Sequence, residues 1–192
     1  IAHIIGVSGS GKSHVAECFK KDAHIIHVDT IQHLAGIRIC PFIKPDSIWN
    51  WDVWSTFLKH ADASDAIRIT IKNNYLGTLN DGRPIIVEAA ILAWHDWRNT
   101  FIDALKDLEI VIDEEKSFWL DPTPEVLLKN IKKRSRRNEK DFDLQNMEQR
   151  RKWYCSKAQQ HTNKFDSTES ITTAIRKFIF TEKSESTERE SH

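Results

Sequence analysis

The stretch Gly6-Val7-Ser8-Gly9-Ser10-Gly11-Lys12-Ser13 matches the pattern G-x-x-x-x-G-K-S without a gap. Glycines let the backbone turn so that successive N–H groups face a phosphate, and a helix beginning near Lys12 directs its positive dipole end at the same anion. The pattern predicts that Lys12 reaches the β- and γ-phosphates and that the Ser13 hydroxyl ligates Mg²⁺. We therefore expect an ATP site whose contact residues are Gly6, Ser8, Gly9, Ser10, Gly11, Lys12, Ser13 and His14.

The segments around this loop alternate between strand and helix patterns. Residues 1–7 have the composition of a buried strand, residues 12–21 have helical spacing, and residues 24–28 are typical of a second strand that ends at Asp29. Strand, glycine loop, helix and strand are the beginning of a parallel α/β sheet. This context argues against the alternative, a plain glycine turn.

The alternation continues along the rest of the chain. A third buried strand is predicted at 85–88, and both 109–112 and 117–120 could be strands. The predicted helices cover 46–61, 64–80, 96–107, 124–137, 144–160 and about 169–180. We expect the polar tail, 181–192, to be disordered.

Two carboxylates follow predicted strands, Asp29 after the second and Glu88 at the end of the third. Ligands of parallel α/β sheets bind outside the carboxyl ends of the strands. A carboxylate there can orient or deprotonate an acceptor hydroxyl, or hold Mg²⁺ through water. The alternative is an N-cap at Asp29 for a helix starting at Thr30, and a cap or a buried ion pair at Glu88. The sequence does not separate the two roles; we assign Asp29 to catalysis and Glu88, with Ser13, to the metal.

A basic run ends the helix predicted over 124–137; it consists of Lys129, Lys132, Lys133, Arg134, Arg136, Arg137 and Lys140. Such a cluster before a short linker can close over a triphosphate and stabilise the charge of a transferring phosphoryl group. We expect Arg134 and Arg137 to be catalytic and Arg136 to contact the nucleotide, with Arg150 and Arg151 able to join them. A solvated helix face is the alternative.

Tryptophans cluster after the second and third predicted strands, at Trp49, Trp51, Trp54, Trp94 and Trp97. These rings could form an acceptor pocket that stacks on a base or sugar, or they could simply pack in the core.

Composition limits the class of protein. The 192 residues carry zero formal net charge, which gives a non-specific nucleic-acid binder no support. No apolar run approaches the roughly 20 residues that a membrane span requires. Three widely spaced cysteines indicate neither a disulfide framework nor a metal site, so we expect a reducing, cytoplasmic setting.

Four segments in order resemble the P-loop small-molecule kinase group, which includes gluconate kinase, uridine kinase and dephospho-coenzyme A kinase. They are residues 6–13, 27–29, 84–88 and 118–137, and Asp166-Ser167-Thr168 also resembles the loop that passes near the adenine in such kinases. The resemblance implies a three-layer α/β fold with a parallel sheet of about five strands, helices on both faces and a small helical lid. We expect one domain over 1–180, with the lid at about 132–145 and an acceptor-binding insertion at about 37–82, a region that resembles no particular family.

The resemblance also implies ATP-Mg²⁺ as phosphoryl donor and a small-molecule acceptor, which we expect to be nucleoside- or sugar-like. Asp29 matches the position at which sugar and nucleoside kinases carry a carboxylate that contacts the acceptor hydroxyl. Two alternatives stay open, a kinase acting on a nucleic-acid end and an NTPase switch without a small acceptor.

Overall fold

The fold is organised around a parallel sheet. The computed structural model describes residues 1–40, 56–134, 142–157 and 163–189. Within these ranges the strand order is β2-β3-β1-β4-β5, and all four pairings are parallel. The strands are β1 (Ala2–Ile5), β2 (His24–His27), β3 (Ile85–Ala89), β4 (Lys116–Leu120) and β5 (Lys164–Phe165). The carboxyl ends of all five strands therefore meet at one edge, which confirms the predicted sheet.

Helices connect these strands in the alternating order that the sequence predicted. They are α1 (Lys12–Glu17), α2 (Val28–Ile39), α3 (Ala63–Tyr75), a 3₁₀ turn (Ile91–Ala93), α4 (His95–Lys106), α5 (Pro124–Arg134), α6 (Leu144–Lys157) and α7 (Thr168–Arg189). Proline opens α5, where its missing N–H would have no partner inside the helix. No helix in the described ranges has the length and apolar character needed to cross a bilayer.

Apolar residues cover both faces of the sheet, because neighbouring residues of a strand point to opposite faces. Ile5, Val87 and Trp119 belong to the core cluster that α2, α3 and α4 also build. Their neighbours Ile4, Ile86 and Phe118 belong to the cluster shared with α1 and α7. Helices on both faces of a buried parallel sheet make the three-layer α/β fold expected from the sequence.

The end of β2 differs from the sequence prediction. The strand pairs with β3 only as far as His27, and α2 begins at Val28. Asp29 therefore lies in the first turn of α2 instead of following a strand that ends at Val28. The N-cap of α2 is His27, so the alternative of Asp29 as an N-cap is wrong.

The structure also decides whether 109–112 and 117–120 are strands and where the last helix ends. Residues 109–112 do not form a strand: Glu109 has φ 62°, a turn conformation, and the strand lies at 116–120. The last helix continues to Arg189, whereas the sequence predicted that it would end near residue 180. Lys, Glu and Arg are good helix formers, so a helix packed through Ile171 and Ile175 extends through a polar segment.

Candidate active site at the phosphate loop

The loop between β1 and α1 depends on two glycines. Gly9 and Gly11 have φ values of 87° and 97°, a region that other residues rarely enter. Gly11 is the N-cap of α1, and the Ser10 N–H donates to the Val7 carbonyl oxygen at 3.1 Å. The loop thus turns sharply at the carboxyl end of β1 and delivers the N-terminus of α1 to that edge of the sheet.

Lys12 and Ser13 are the first two residues of α1. The Lys12 side chain is largely buried, with 7% of the residue exposed. The Ser13 hydroxyl donates a hydrogen bond to Glu88 Oε1 at 3.1 Å, and His14 is exposed on the next position. The largely buried lysine and the serine hydroxyl therefore lie at the N-terminus of α1, where the helix dipole favours negative charge.

Glu88 lies near the carboxyl end of β3 and is almost completely buried. Its Oε1 atom accepts from Ser13 Oγ and lies 2.8 Å from His27 Nδ1. Its Oε2 atom is also buried and has no hydrogen-bond partner within the described ranges. A buried carboxylate oxygen of this kind, next to a serine hydroxyl, is a suitable ligand for a hard cation.

Sequence reasoning gave His27 no role of its own. Its ring bridges Glu88 and Glu17, whose Oε1 lies 3.3 Å from His27 Nε2. The hydrogen bond to Glu88 raises the pKa of His27 above its ordinary value, burial opposes this effect, and Glu17 adds to it. The signal that could have found this contact is strand register, since His27 pairs directly with Glu88 across β2 and β3.

A cleft of about 610 Å³ opens above the loop. Its walls are the first turn of α1, the cleft-facing side of α5 and the segment 166–169, which includes the predicted adenine loop. From α5, Arg134 Nη2 donates to Ser8 Oγ at 3.0 Å and Asn130 Nδ2 donates to the Gly9 carbonyl oxygen at 2.8 Å. The structure thus places Arg134 at the loop, while Arg136 and Arg137 lie outside the described residues.

A second cavity, of about 650 Å³, lies near the amino ends of the strands and is lined by Ile85 and by residues 109–114. It is slightly larger than the cleft, but it contains no residue of the phosphate loop. Cavity volume alone therefore does not identify the site. The smaller cleft is the candidate site because the phosphate loop, Lys12 and Arg134 line it.

Asp29 is exposed in the first turn of α2, on the other side of the loop from α5. It lies close enough to Tyr154 of α6 to affect its ionisation. Burial, which is the main cause, raises the pKa of Tyr154 to about 12; Arg150 opposes this shift and Asp29 adds to it. Asp29 on α2 therefore lies within electrostatic range of Tyr154 on α6.

Tyr154 belongs to a group of three aromatic rings. The Trp94 ring centroid is 5.2 Å from that of Trp153 and 5.5 Å from that of Tyr154, and the latter two are 4.9 Å apart. Trp153 keeps 38% of its surface exposed. Trp97, like Trp94, packs against the core as a partly buried ring, and the expected ring cluster Trp49, Trp51 and Trp54 lies outside the described residues.

An ion pair joins α6 to the end of β4 at the edge of the sheet. Asp121, directly after β4, accepts two hydrogen bonds from Arg151, at 2.6 Å from Nε and 2.9 Å from Nη2. Arg150 stacks instead over the Phe142 ring, 4.1 Å from its centroid. Arg151 is thus held by the sheet edge and not directed at the phosphate loop, where it was expected to join Arg134.

No group of three or more His, Cys, Asp or Glu side chains in the described part of the chain is arranged to hold a metal ion. A metal bound by Ser13 and Glu88 would therefore take other ligands from water and phosphate, which is usual for Mg²⁺.

Comparisons with known proteins agree with this architecture. The model of a family described as "AAA domain" matches residues 1–156. No curated protein sequence matches the chain. A tunicamycin resistance protein from Deinococcus radiodurans is 14% identical, with a TM-score of 0.56 over 93% of this chain and 94% of that protein.

Two further solved structures are similar. A chain of the Pnkp1/Rnl/Hen1 RNA repair complex is 14% identical with a TM-score of 0.50, over 83% of this chain and 45% of the other. A gluconokinase from Sinorhizobium meliloti 1021 is 16% identical with a TM-score of 0.48, over 100% of this chain and 97% of the other. At such low identity these likenesses describe the fold alone. From the family match and the phosphate loop we conclude that the chain belongs to this AAA-domain family, within the P-loop kinase-like group that the sequence predicted.

Proposed function

We propose that this protein is an ATP-dependent kinase that transfers the γ-phosphoryl group to a hydroxyl of a small nucleoside- or sugar-like acceptor. The observation that carries the proposal is the loop geometry: Lys12 is buried at the N-terminus of α1, and Arg134 reaches the same loop from α5. Two fixed cations and a helix N-terminus around one cleft suit a polyphosphate ligand.

The cleft suggests how ATP would lie. Its phosphates would occupy the loop, with Lys12 at the β- and γ-phosphates, and its adenine would extend toward the segment 166–169 on the opposite wall. Arg134 would stabilise charge on the transferring group, together with Arg137, and Arg136 would contact the nucleotide.

Ser13 and Glu88 would hold Mg²⁺. The fit rests on the buried Oε2 atom of Glu88 and on the Ser13 hydroxyl that already donates to Oε1 of the same carboxylate. When bound, Mg²⁺ would neutralise charge on the phosphate oxygens. His27 keeps Glu88 in place by its own contact with Oε1.

The acceptor would bind between α2 and α6. Asp29 is exposed there and can orient or deprotonate a hydroxyl, while the exposed part of Trp153 offers a ring surface for a sugar or base. In this proposal Asp29 acts on the acceptor and Glu88 holds the metal, two roles that the sequence alone did not separate.

The direct experiment is to incubate the protein with ATP-Mg²⁺ and separate panels of nucleosides, sugars and 5′-hydroxyl oligonucleotides, and to measure ADP. Turnover that depends on a small acceptor and is lost in Lys12→Ala supports the proposal. ADP formed at the same rate without any acceptor would instead identify an NTPase switch. Turnover with oligonucleotides alone would identify a nucleic-acid-end kinase.

A further inference from the structure

Helix α5 is fastened to the phosphate loop by two side chains on one face. Asn130 Nδ2 donates to the Gly9 carbonyl oxygen at 2.8 Å, and Arg134 Nη2 donates to Ser8 Oγ at 3.0 Å. Residues four apart on a helix lie one above the other, so both bonds come from the side of α5 that lines the cleft. Arg134 already belongs to the proposed site, whereas Asn130 has no role in it so far.

The bond from Asn130 fixes one peptide unit of the loop. The carbonyl of the Gly9–Ser10 peptide accepts from Asn130, and the N–H of the same peptide donates to the Val7 carbonyl oxygen. A trans peptide is planar, with its C=O and N–H pointing in opposite directions, so these two bonds together set the direction of the plane. Glycine at φ 87° would otherwise leave this peptide comparatively free to turn.

Close packing keeps α5 in the position that this bond requires. Val7 of the loop shares an apolar cluster with Leu127 and Ile131 of α5 and with Met147 of α6. A Cβ atom added to Gly9 would come within 2.8 Å of the Leu127 carbonyl oxygen. The helix therefore touches the loop backbone directly, and Asn130 supplies a directional bond within that contact.

We propose that Asn130 is a positioning residue for nucleotide binding. Its bond to Gly9 holds the loop in its phosphate-binding shape and holds Arg134 at the mouth of the cleft before the nucleotide arrives. Groups that are already ordered lose less freedom on binding, so this bond contributes to affinity without touching the ligand. The inference rests on the proposed ATP site.

The test compares Asn130→Ala with Asn74→Ala. Asn74 Nδ2 also donates to a partly buried backbone carbonyl, that of Thr70, at 2.7 Å, but it does so on α3, away from the cleft. Both variants lose an amide-to-carbonyl hydrogen bond and place alanine in a helix, but Asn74 bonds four residues back in its own helix, whereas Asn130 bonds to a loop 121 residues away in the sequence. Only Asn130→Ala should change the site.

Two quantities are measured for each variant, with a non-hydrolysable ATP analogue and Mg²⁺ as the probe. Asn130→Ala should weaken binding of the analogue about 5- to 10-fold, the usual effect of one hydrogen bond. Without nucleotide, it should speed tryptic cleavage after Lys133 and Arg134 several-fold, because α5 is held less firmly. Asn74→Ala should change neither quantity.

A double-mutant cycle separates positioning from a general loss of stability. In an Arg134→Ala background, Asn130→Ala should lose a large part of its effect on affinity, because part of that effect acts through Arg134. If Asn130→Ala does not fold, Asn130→Leu replaces it: leucine is close to asparagine in size, cannot donate to the Gly9 oxygen and adds no charge to the cleft.

The outcomes separate this inference from the proposed function. If the parent protein does not bind the analogue, the proposed function is wrong, and the cleavage rates still decide whether Asn130 holds α5. If the parent binds it and Asn130→Ala binds within twofold, or if cleavage is unchanged, Asn130 is not a positioning residue. Fully additive effects in the cycle would also overturn the link to Arg134.

Discussion

The nucleotide side and the proposed acceptor side of the candidate site are built in different ways. On the nucleotide side, the consecutive residues 6–13 and the start of α1 supply the main parts, and α5 packs on them. On the proposed acceptor side, Asp29, Trp94 and Tyr154 come from parts of the chain that are far apart in the sequence. A common ligand such as a phosphate is recognised by a local backbone motif, whereas a particular acceptor requires side chains that only the fold assembles.

The largest effect is expected on the proposed acceptor side, at Asp29. Asp29→Asn keeps the size of the side chain but removes the charge that orients or deprotonates a hydroxyl, so acceptor-dependent turnover should fall roughly 10²- to 10⁴-fold. Steady-state kinetics and equilibrium binding of ATP-Mg²⁺ measure the two sides separately. Strongly weakened ATP binding would place Asp29 on the nucleotide side and break the comparison.

On the nucleotide side, Lys12→Ala removes a buried cation from the position proposed for the transferring phosphate. We expect turnover to fall by on the order of 10²-fold or more, because fixed charge in a closed site stabilises the transition state. ADP formation at saturating acceptor measures it, with Lys129→Ala, an exposed lysine on α5, as the control. Turnover within threefold of the parent would contradict the phosphate-loop assignment.

The ion pair between Asp121 and Arg151 joins α6 to the end of β4. It predicts a difference in stability between two variants. Asp121→Asn weakens a bidentate pair whose Asp121 side chain is only 13% exposed, and it should lower the free energy of unfolding by about 1 to 3 kcal/mol. Asp107→Asn breaks the ion pair of Asp107 with Arg68, whose two side chains are 40% and 39% exposed, and should lower the free energy of unfolding by less because water screens exposed charges. Urea denaturation measures the free energy of unfolding of both variants. If Asp121→Asn loses no more than Asp107→Asn, Asp121 does not hold α6 in place.

The smallest effect concerns His27, which contacts Glu88, the proposed metal ligand. Because its pKa is raised in the folded state, its contacts with Glu88 and Glu17 stabilise the protein fully below about pH 6.5 and progressively less as the pH rises through the folded-state pKa. His27→Gln should lack this part of the pH dependence. Unfolding free energies of parent and variant between pH 5.5 and 8.5 measure it, and parallel curves would mean that the protonated His27 does not contribute.

Much of the fold could be read from local patterns. The apolar runs of β1 and β3 and the glycine loop predicted the parallel sheet, since buried strands and a turn before a helix depend on nearest neighbours. The end of β2 was harder to place. Val28 continues an apolar run, and the sequence alone does not show that pairing with β3 stops at His27.

The residues of the candidate site also differ in how well the sequence predicted them. The phosphate-loop residues follow from a contiguous motif whose backbone geometry is largely local, as the positive φ angles of Gly9 and Gly11 show. The bridge of His27 to Glu88 depends on the register of two strands, a non-local property. Arg151 illustrates the limit: its charge was visible in the sequence, but its partner Asp121 was not.

The sequence by itself determined that this protein has a phosphate-binding loop at the start of a parallel α/β fold, because eight consecutive residues fix both the turn and the groups that face the anion. Only the tertiary structure decided which side chains surround that loop. Asn130 meets Gly9, Arg134 meets Ser8, and Tyr154 meets Trp94 because helices distant in sequence pack above one edge of the sheet. Such contacts depend on the packing of whole elements, which no short stretch of sequence encodes.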